Sequence, residues 1–216
     1  MKIAPEGRAL ITVAWIILAG LALLAWWTNW GWTLAVLIPW AGIALWVPWF
    51  FRDPVRKGPR GDSLVLAPAD GRVVSITEVD EPEFLKRRAT CISVFMNVFN
   101  VHVNRYPVAG SLAYREYRPG KFVNATRDKA SSDNERMSLG LESRHGSVLV
   151  RQIAGLVARR IVADHQVGDR VGQGDRLGII RFGSRLDTYV PHPASISVRV
   201  GDVTRAGVTI LAEWPL

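Results

Sequence analysis

The stretch GIIRFGSRLDTYVP, residues 178–191, decides how the chain is read. It joins two apolar-rich segments, Leu177–Phe182 and Leu186–Val190, at the pair Gly183–Ser184. Strand signals on both sides of a Gly-Ser junction predict a β-turn or a bulge. The pair also lies between two arginines, Arg181 and Arg185, which set two cations beside a serine hydroxyl. Gly183–Ser184 is therefore either a bend in a sheet or a reactive bond, and the residues of this stretch leave both readings open.

Working outward, residues 61–216 repeat the same style. Short alternating segments such as RVVSITEV, CISVFMNV, SVLVRQIAG and SISVRVG are punctuated by Gly, Pro and Asp. This predicts a mainly β domain with one helical patch near DEPEFLKRRA, residues 80–89. No heptads, no dinucleotide-binding glycine pattern and no P-loop occur. Residues 119–140 are polar and weakly periodic, the kind of segment that is usually functional or mobile inside a compact domain.

The N-terminal quarter differs in kind. Residues 9–27, ALITVAWIILAGLALLAWW, and residues 32–51, WTLAVLIPWAGIALWVPWFF, carry no charge. A helix needs about 20 apolar residues to cross the hydrocarbon core, and both runs meet that. Neither resembles a cleaved signal peptide, because no small-residue cleavage site separates them. The TNWG link makes them a hairpin, residues 1–51, and eight of the nine tryptophans lie between residues 15 and 49. Trp26, Trp27, Trp30 and Trp32 crowd the turn as an interfacial belt would. Lys2 and Arg8 precede the first span, and Arg52, Arg56, Lys57 and Arg60 follow the second, while the turn has no cation. The positive-inside rule then puts both ends in the cytoplasm and the anchor in the inner (cell) membrane. Residues 52–60 read as a basic linker whose cations meet anionic headgroups.

Charge and cysteine usage narrow the remaining classes. The net charge is +8, and of 27 Lys and Arg and 19 Asp and Glu, all but Lys2, Arg8 and Glu6 lie beyond residue 51. A basic domain beside a membrane attracts anionic phospholipid. The cations are dispersed and no nucleic-acid motif accompanies them, so nucleic acid is not expected as a partner. The single cysteine, Cys91, excludes an internal disulfide, and its setting CISVF predicts a buried strand residue rather than a reactive thiol. The four histidines show no metal-ligand spacing, so no metal is expected.

Two segments look like halves of one motif. APADGRVVSI, residues 67–76, resembles the opening strand of biotinyl and lipoyl carrier domains. HQVGDRVGQGDRLGII, residues 165–180, resembles the segment that follows it there. The two are adjacent in carriers and far apart here, which implies a barrel-sandwich-hybrid-like domain with a large insertion. No lysine stands at the expected hairpin tip, where the chain runs instead into RFGSR.

APADGRV, FMNVFNVHVNRYPVAG, NERM, QIAGLVARRIV and RFGSRLDTYVP follow in this order after a two-span anchor. Together they resemble the short bacterial form of the phosphatidylserine decarboxylase family, from about residue 60 to residue 212. The resemblance implies a proenzyme that cuts itself between Gly183 and Ser184, turns Ser184 into a pyruvoyl group and converts phosphatidylserine to phosphatidylethanolamine with release of CO2. Its partners would be phosphatidylserine, the anionic membrane and its own two cleavage products, with a homo-oligomer left open. The chemistry suits the residues. Ser184 Oγ can attack the Gly183 carbonyl and convert the amide to an ester, and glycine tolerates the backbone conformation this needs. Elimination, tautomerisation and hydrolysis then release ammonia and leave the pyruvoyl cap. That cap supplies the electron sink, and the protein supplies position and proton transfer.

His102, in NVHVNR, is the first candidate for base and proton donor, because it lies in the family's histidine motif and imidazole titrates near neutrality. Its plain alternative is a hydrogen-bonded strand histidine. Asp70, in APADG, is carried over from the family as the acid that pairs with a histidine and orients it. On residues alone Asp70 reads as an Asp-Gly turn. Longer members have a second histidine where this chain has Arg105, and Leu-Gly-Ser-Thr where it has Phe182-Gly183-Ser184-Arg185. Arg185 meets either an anionic ligand or an acidic neighbour. A different class stays open, a non-enzymatic membrane-anchored adaptor or carrier with a lipoyl-like β domain. Such adaptors usually carry a long helical hairpin within the split motif.

Overall fold

The computed structural model describes residues 2–29, 31–121, 134–155, 161–181 and 183–215. Trp30, Phe182 and most of the polar segment 119–140 therefore lie outside the described residues. The chain divides into two compact units, Met1–Val55 and Arg56–Leu216.

In the first unit the apolar runs form α1 (Arg8–Thr28) and α2 (Gly31–Phe50), each long and apolar enough to cross a membrane. Asn29 stops α1 by adopting a left-handed conformation, φ 51°, while its N–H closes on Ala25 O. Trp40 Nε1 donates to Ala14 O at 2.9 Å and ties the helices together. The apolar surface faces outward, with Trp26 80% and Trp27 81% exposed. A helix of a soluble core would bury that surface. Strands β1 (Lys2–Ile3) and β2 (Arg52–Asp53) pair antiparallel, so both ends of the hairpin are held side by side. The first two residues of the basic linker thus belong to this pairing.

The second unit is built from strands, and among the described residues no helix lies beyond Phe50. The long helical hairpin expected of an adaptor is not among its described elements. The strands β3 (Leu64–Leu66), β4 (Gly71–Glu81), β5 (Arg87–Met96), β6 (Val103–Arg105), β7 (Gly110–Arg118), β8 (Arg136–Glu142) and β9 (Ser147–Ala154) come first. They are followed by β10 (Ile161–Ala163), β11 (Arg170–Val171), β12 (Arg176–Ile180), β13 (Ser184–Pro191), β14 (Ser195–Ile196), β15 (Val203–Thr204) and β16 (Ile210–Glu213). An eight-stranded sheet runs β11-β7-β8-β9-β13-β5-β4-β15, with two three-stranded sheets, β10-β12-β6 and β14-β16-β3.

Alternation along the large sheet creates its two faces. Ile92, Val94, Met96, Val148, Val150, Ala154, Leu186 and Val190 face the main core. Cys91, Leu149 and Tyr189 pack on the opposite face with Leu85 and Ala89. Burial pushes the Cys91 thiol up to about 12, because the thiolate is penalised away from water. In the folded protein Cys91 is accordingly expected to resist a thiol reagent at mildly alkaline pH and to react fully on unfolding. Prompt labelling of the folded protein would contradict this burial.

One expectation is corrected. The DEPEFLKRRA patch is a turn between paired strands, not a helix. Glu81 lies opposite Arg87 in the ladder, and the Glu81 carboxylate accepts from the N–H groups of Glu83, Phe84 and Leu85 at 2.7–3.2 Å. With its ends fixed by strand pairing and its first N–H groups capped, the connection has no room for a second helical turn. The end of the polar segment 119–140 belongs to β8, where Met137 and Leu139 point into the core.

The segments 67–76 and 165–180 do not share a ladder. They meet through Arg105 and Tyr106: Arg105 N–H donates to Pro68 O, and Gly174 N–H donates to Tyr106 O. Arg56 and Arg60 of the linker also contact this domain, at Asp70 and Gly207 O respectively. These two cations are thereby drawn into the fold rather than left to meet headgroups.

Candidate active site

Gly183–Ser184 is both a bend and the entry to a buried strand. Gly183 has φ +63°, a left-handed conformation that costs a residue with Cβ about 1–2 kcal/mol. A Cβ there would meet nothing within 4 Å, so the need for glycine is conformational rather than spatial. Gly71 shows the contrast, since a Cβ there would lie 2.2 Å from Phe95 O.

Ser184 opens β13, the strand between β5 and β9, opposite Met96 on one side and Ala154 on the other. Its side chain shares the core face with Leu186, and the residue is fully buried. Its Oγ has no hydrogen-bond partner. An unsatisfied buried hydroxyl costs about 1–3 kcal/mol, and such a group in a well-formed sheet calls for an explanation in chemistry. A buried, unpartnered serine hydroxyl directly after a left-handed glycine marks the pair as the candidate reactive bond.

His102 is fully buried just before β6. Its Nδ1 lies 3.0 Å from Asn100 O. A carbonyl only accepts, so Nδ1 carries the hydrogen and Nε2 is the basic nitrogen of the neutral ring. The ladder of β6 with β12 pairs Val103 with Ile179, which sets His102 one step beyond, toward the segment leading to Gly183.

The other histidines lie elsewhere. His192 follows the far end of β13 and sits 3.1 Å from Glu78. His145 stacks on Trp214, and it lies in the turn before Ser147, at the end of β9 away from Ala154. His165 stands edge-on to Tyr106.

Asp70 lies against the linker and the 206–209 turn. It accepts from Arg56 Nη2 at 2.6 Å and from the Ala206 N–H at 2.8 Å, and no histidine is among these partners. In this state it ties the linker and the 206–209 turn to the APAD segment. Arg105, in place of the second histidine, donates to Gly174 O at 3.1 Å. Arg185 points to the sheet face opposite Ser184. There Nε lies 2.8 Å from Asp187 Oδ1, Nη2 donates to Oδ2, and Ser93 Oγ donates to the same carboxylate. Of its two sequence readings, the acidic neighbour is the one the structure holds.

Three amides were missed by the sequence reading, although each lies in a motif quoted for the family resemblance. Gln152 Nε2 donates to Asn104 Oδ1 at 2.8 Å, Asn104 Nδ2 contacts Met96 Sδ at 3.6 Å, and Asn134 Nδ2 donates to Ala154 O at 2.7 Å. Met96 and Ala154 are the two cross-strand neighbours of Ser184, so all three amides gather around it. The available signal was parity, because Gln152 falls on the apolar phase of Val148, Val150 and Ala154. Among the described residues, no group of three or more His, Cys, Asp or Glu converges as metal ligands.

The phosphatidylserine decarboxylase family model matches residues 43–212. The chain belongs to the phosphatidylserine decarboxylase family. The phosphatidylserine decarboxylase proenzyme of Symbiobacterium thermophilum is 51% identical over 199 residues, covering 92% of this chain and 91% of that one. The proenzyme of Magnetococcus marinus is 51% identical over 168 residues, 77% of each chain. The family match runs through the Ser184 strand, the His102 segment and the three amides, and it begins within α2.

Proposed function

We propose that this chain is a phosphatidylserine decarboxylase proenzyme that cuts itself between Gly183 and Ser184 and converts phosphatidylserine to phosphatidylethanolamine and CO2. The carrying observation is the buried, unpartnered Ser184 Oγ directly after a left-handed glycine. Oγ bonds to the Gly183 carbonyl carbon as the amide C–N bond breaks, with His102 Nε2 taking the hydroxyl proton. Elimination then frees the Gly183 carboxylate, and hydrolysis releases the Ser184 nitrogen as ammonia. The pyruvoyl group left at position 184 supplies the electron sink for loss of CO2. His102 remains beside it to deliver a proton to the substrate α-carbon. The family's barrel-sandwich-hybrid-like architecture with a large insertion is part of this reading.

The two products are expected to stay together. The downstream chain, residues 184–216, contributes β13 between β5 and β9, β15 beside β4 and β16 beside β3. It cannot leave without dismantling the large sheet. Denaturing electrophoresis tests the proposal: two chains, 1–183 and 184–216, with the smaller blocked at its N-terminus by pyruvoyl. A single chain in an active preparation would refute it.

The anchor reading adds a topology. Both ends of the hairpin carry cations and its turn carries none, so the catalytic domain lies on the cytoplasmic side of the inner membrane. A reporter fused after Leu216 is expected to be active only in the cytoplasm. A periplasmic signal would reverse the orientation.

A further inference from the structure

Gln152 is a buried amide to which the cutting reaction assigns no part. In the ladder between β13 and β9, Ser184 faces Ala154 and Leu186 faces Gln152, which makes Gln152 the diagonal neighbour of Ser184 on the core face. Diagonal neighbours sit about 7–8 Å apart, within reach of a long side chain. Gln152 is fully buried, and its Oε1 has no hydrogen-bond partner. Its Nε2 is held by Asn104 Oδ1, and Asn104 in turn contacts Met96 beside Ser184. These contacts draw the amide toward the Ser184 end of β9 rather than toward Thr188, the other diagonal neighbour. The result is a fixed carbonyl oxygen that can only accept, set beside the reacting residue in a dry core.

We propose that Gln152 is a further catalytic residue whose Oε1 accepts an N–H from the primary amine of the lipid headgroup as that amine approaches position 184, and that Asn104 is the positioning residue that aims it. This rests on the reading of Ser184 as the reacting residue. Ser184 is itself fully buried, and an amine that bonds at position 184 comes within reach of the side chain of its diagonal neighbour. A buried acceptor left without a donor disfavours a ligand that cannot fill it. Gln152 therefore sets a preference for an amine-bearing headgroup before any bond forms.

The test uses cut, full-length enzyme and two short-chain lipids, phosphatidylserine and its analogue with the amino group replaced by hydrogen. Calorimetry reads equilibrium binding of the analogue, which cannot react. Intact mass after cyanoborohydride reads covalent capture of the amine lipid. In Gln152→Met the analogue is expected to bind about 10-fold tighter and capture to slow about 10-fold. Gln152→Glu, which keeps an acceptor oxygen, is expected to retain the wild-type order of the two lipids. Asn104→Ala is expected to reproduce part of the Gln152→Met effect, and Asn104→Asp, which keeps the oxygen that holds Gln152, to restore it. Shifts of equal size and direction for both lipids, or no shift in either, would overturn the assignment. Failure of the wild-type chain to cut would instead count against the proposed function.

Discussion

Replacement of Ser184 by alanine is expected to leave one uncut chain of 216 residues with no decarboxylase activity. The fold should survive, because Ser184 Oγ makes no hydrogen bond that alanine would remove. Deleting an unsatisfied buried hydroxyl relieves a cost of about 1–3 kcal/mol, so the variant should melt at or above the temperature of an uncut wild-type chain. Loss of cutting with retained stability separates a chemical role from a packing role. Electrophoresis and a melting curve on the same sample make the measurement. Efficient cutting of Ser184→Ala would sink the assignment of the reactive bond.

His102→Ala carries the second large effect. Removing a positioned acid–base group typically costs about 100- to 10,000-fold in rate, and chain cutting should slow by an amount in that range. Arg105 offers no replacement, because arginine stays protonated and here donates to Gly174 O. Any processed fraction is expected to turn over poorly as well, since the proposed mechanism gives one imidazole both steps. The cut fraction over time, followed by the decarboxylation rate per pyruvoyl group, reads the two jobs separately. Normal cutting with lost turnover would assign His102 to proton delivery alone. Normal values for both would remove it from the mechanism, although His145, His165 and His192 lie in other surroundings.

Asp70 shows how a residue can be legible while its partner is not. Gly71 after it is required because Phe95 O approaches the backbone where β4 begins. The partner of Asp70 comes from residues 14 and 136 positions away, Arg56 and Ala206. No local pattern announces such a pairing. The family analogy supplied a histidine instead.

What the sequence by itself determined was whatever depends on short-range physics. The charge-free runs 9–27 and 32–51 become α1 and α2 because an unbroken apolar stretch can satisfy its backbone only internally. Apolar alternation makes β4, β5, β9 and β13, and the Gly183–Ser184 junction marks a break in backbone conformation. The ordered motifs identify the family from the chain alone. Tertiary structure decided what depends on register between distant strands. Pairing Ser184 with both Met96 and Ala154 buries its hydroxyl, and side-chain contacts then gather Asn104, Asn134 and Gln152 about that strand from three separate segments. It also turned the 80–89 patch into a capped turn and sent Arg185 to the opposite face with Asp187. In a sheet, a one-residue change of register exchanges the two faces. The company that Ser184 keeps is thus a property of the assembled sheet, which no single segment of the chain encodes.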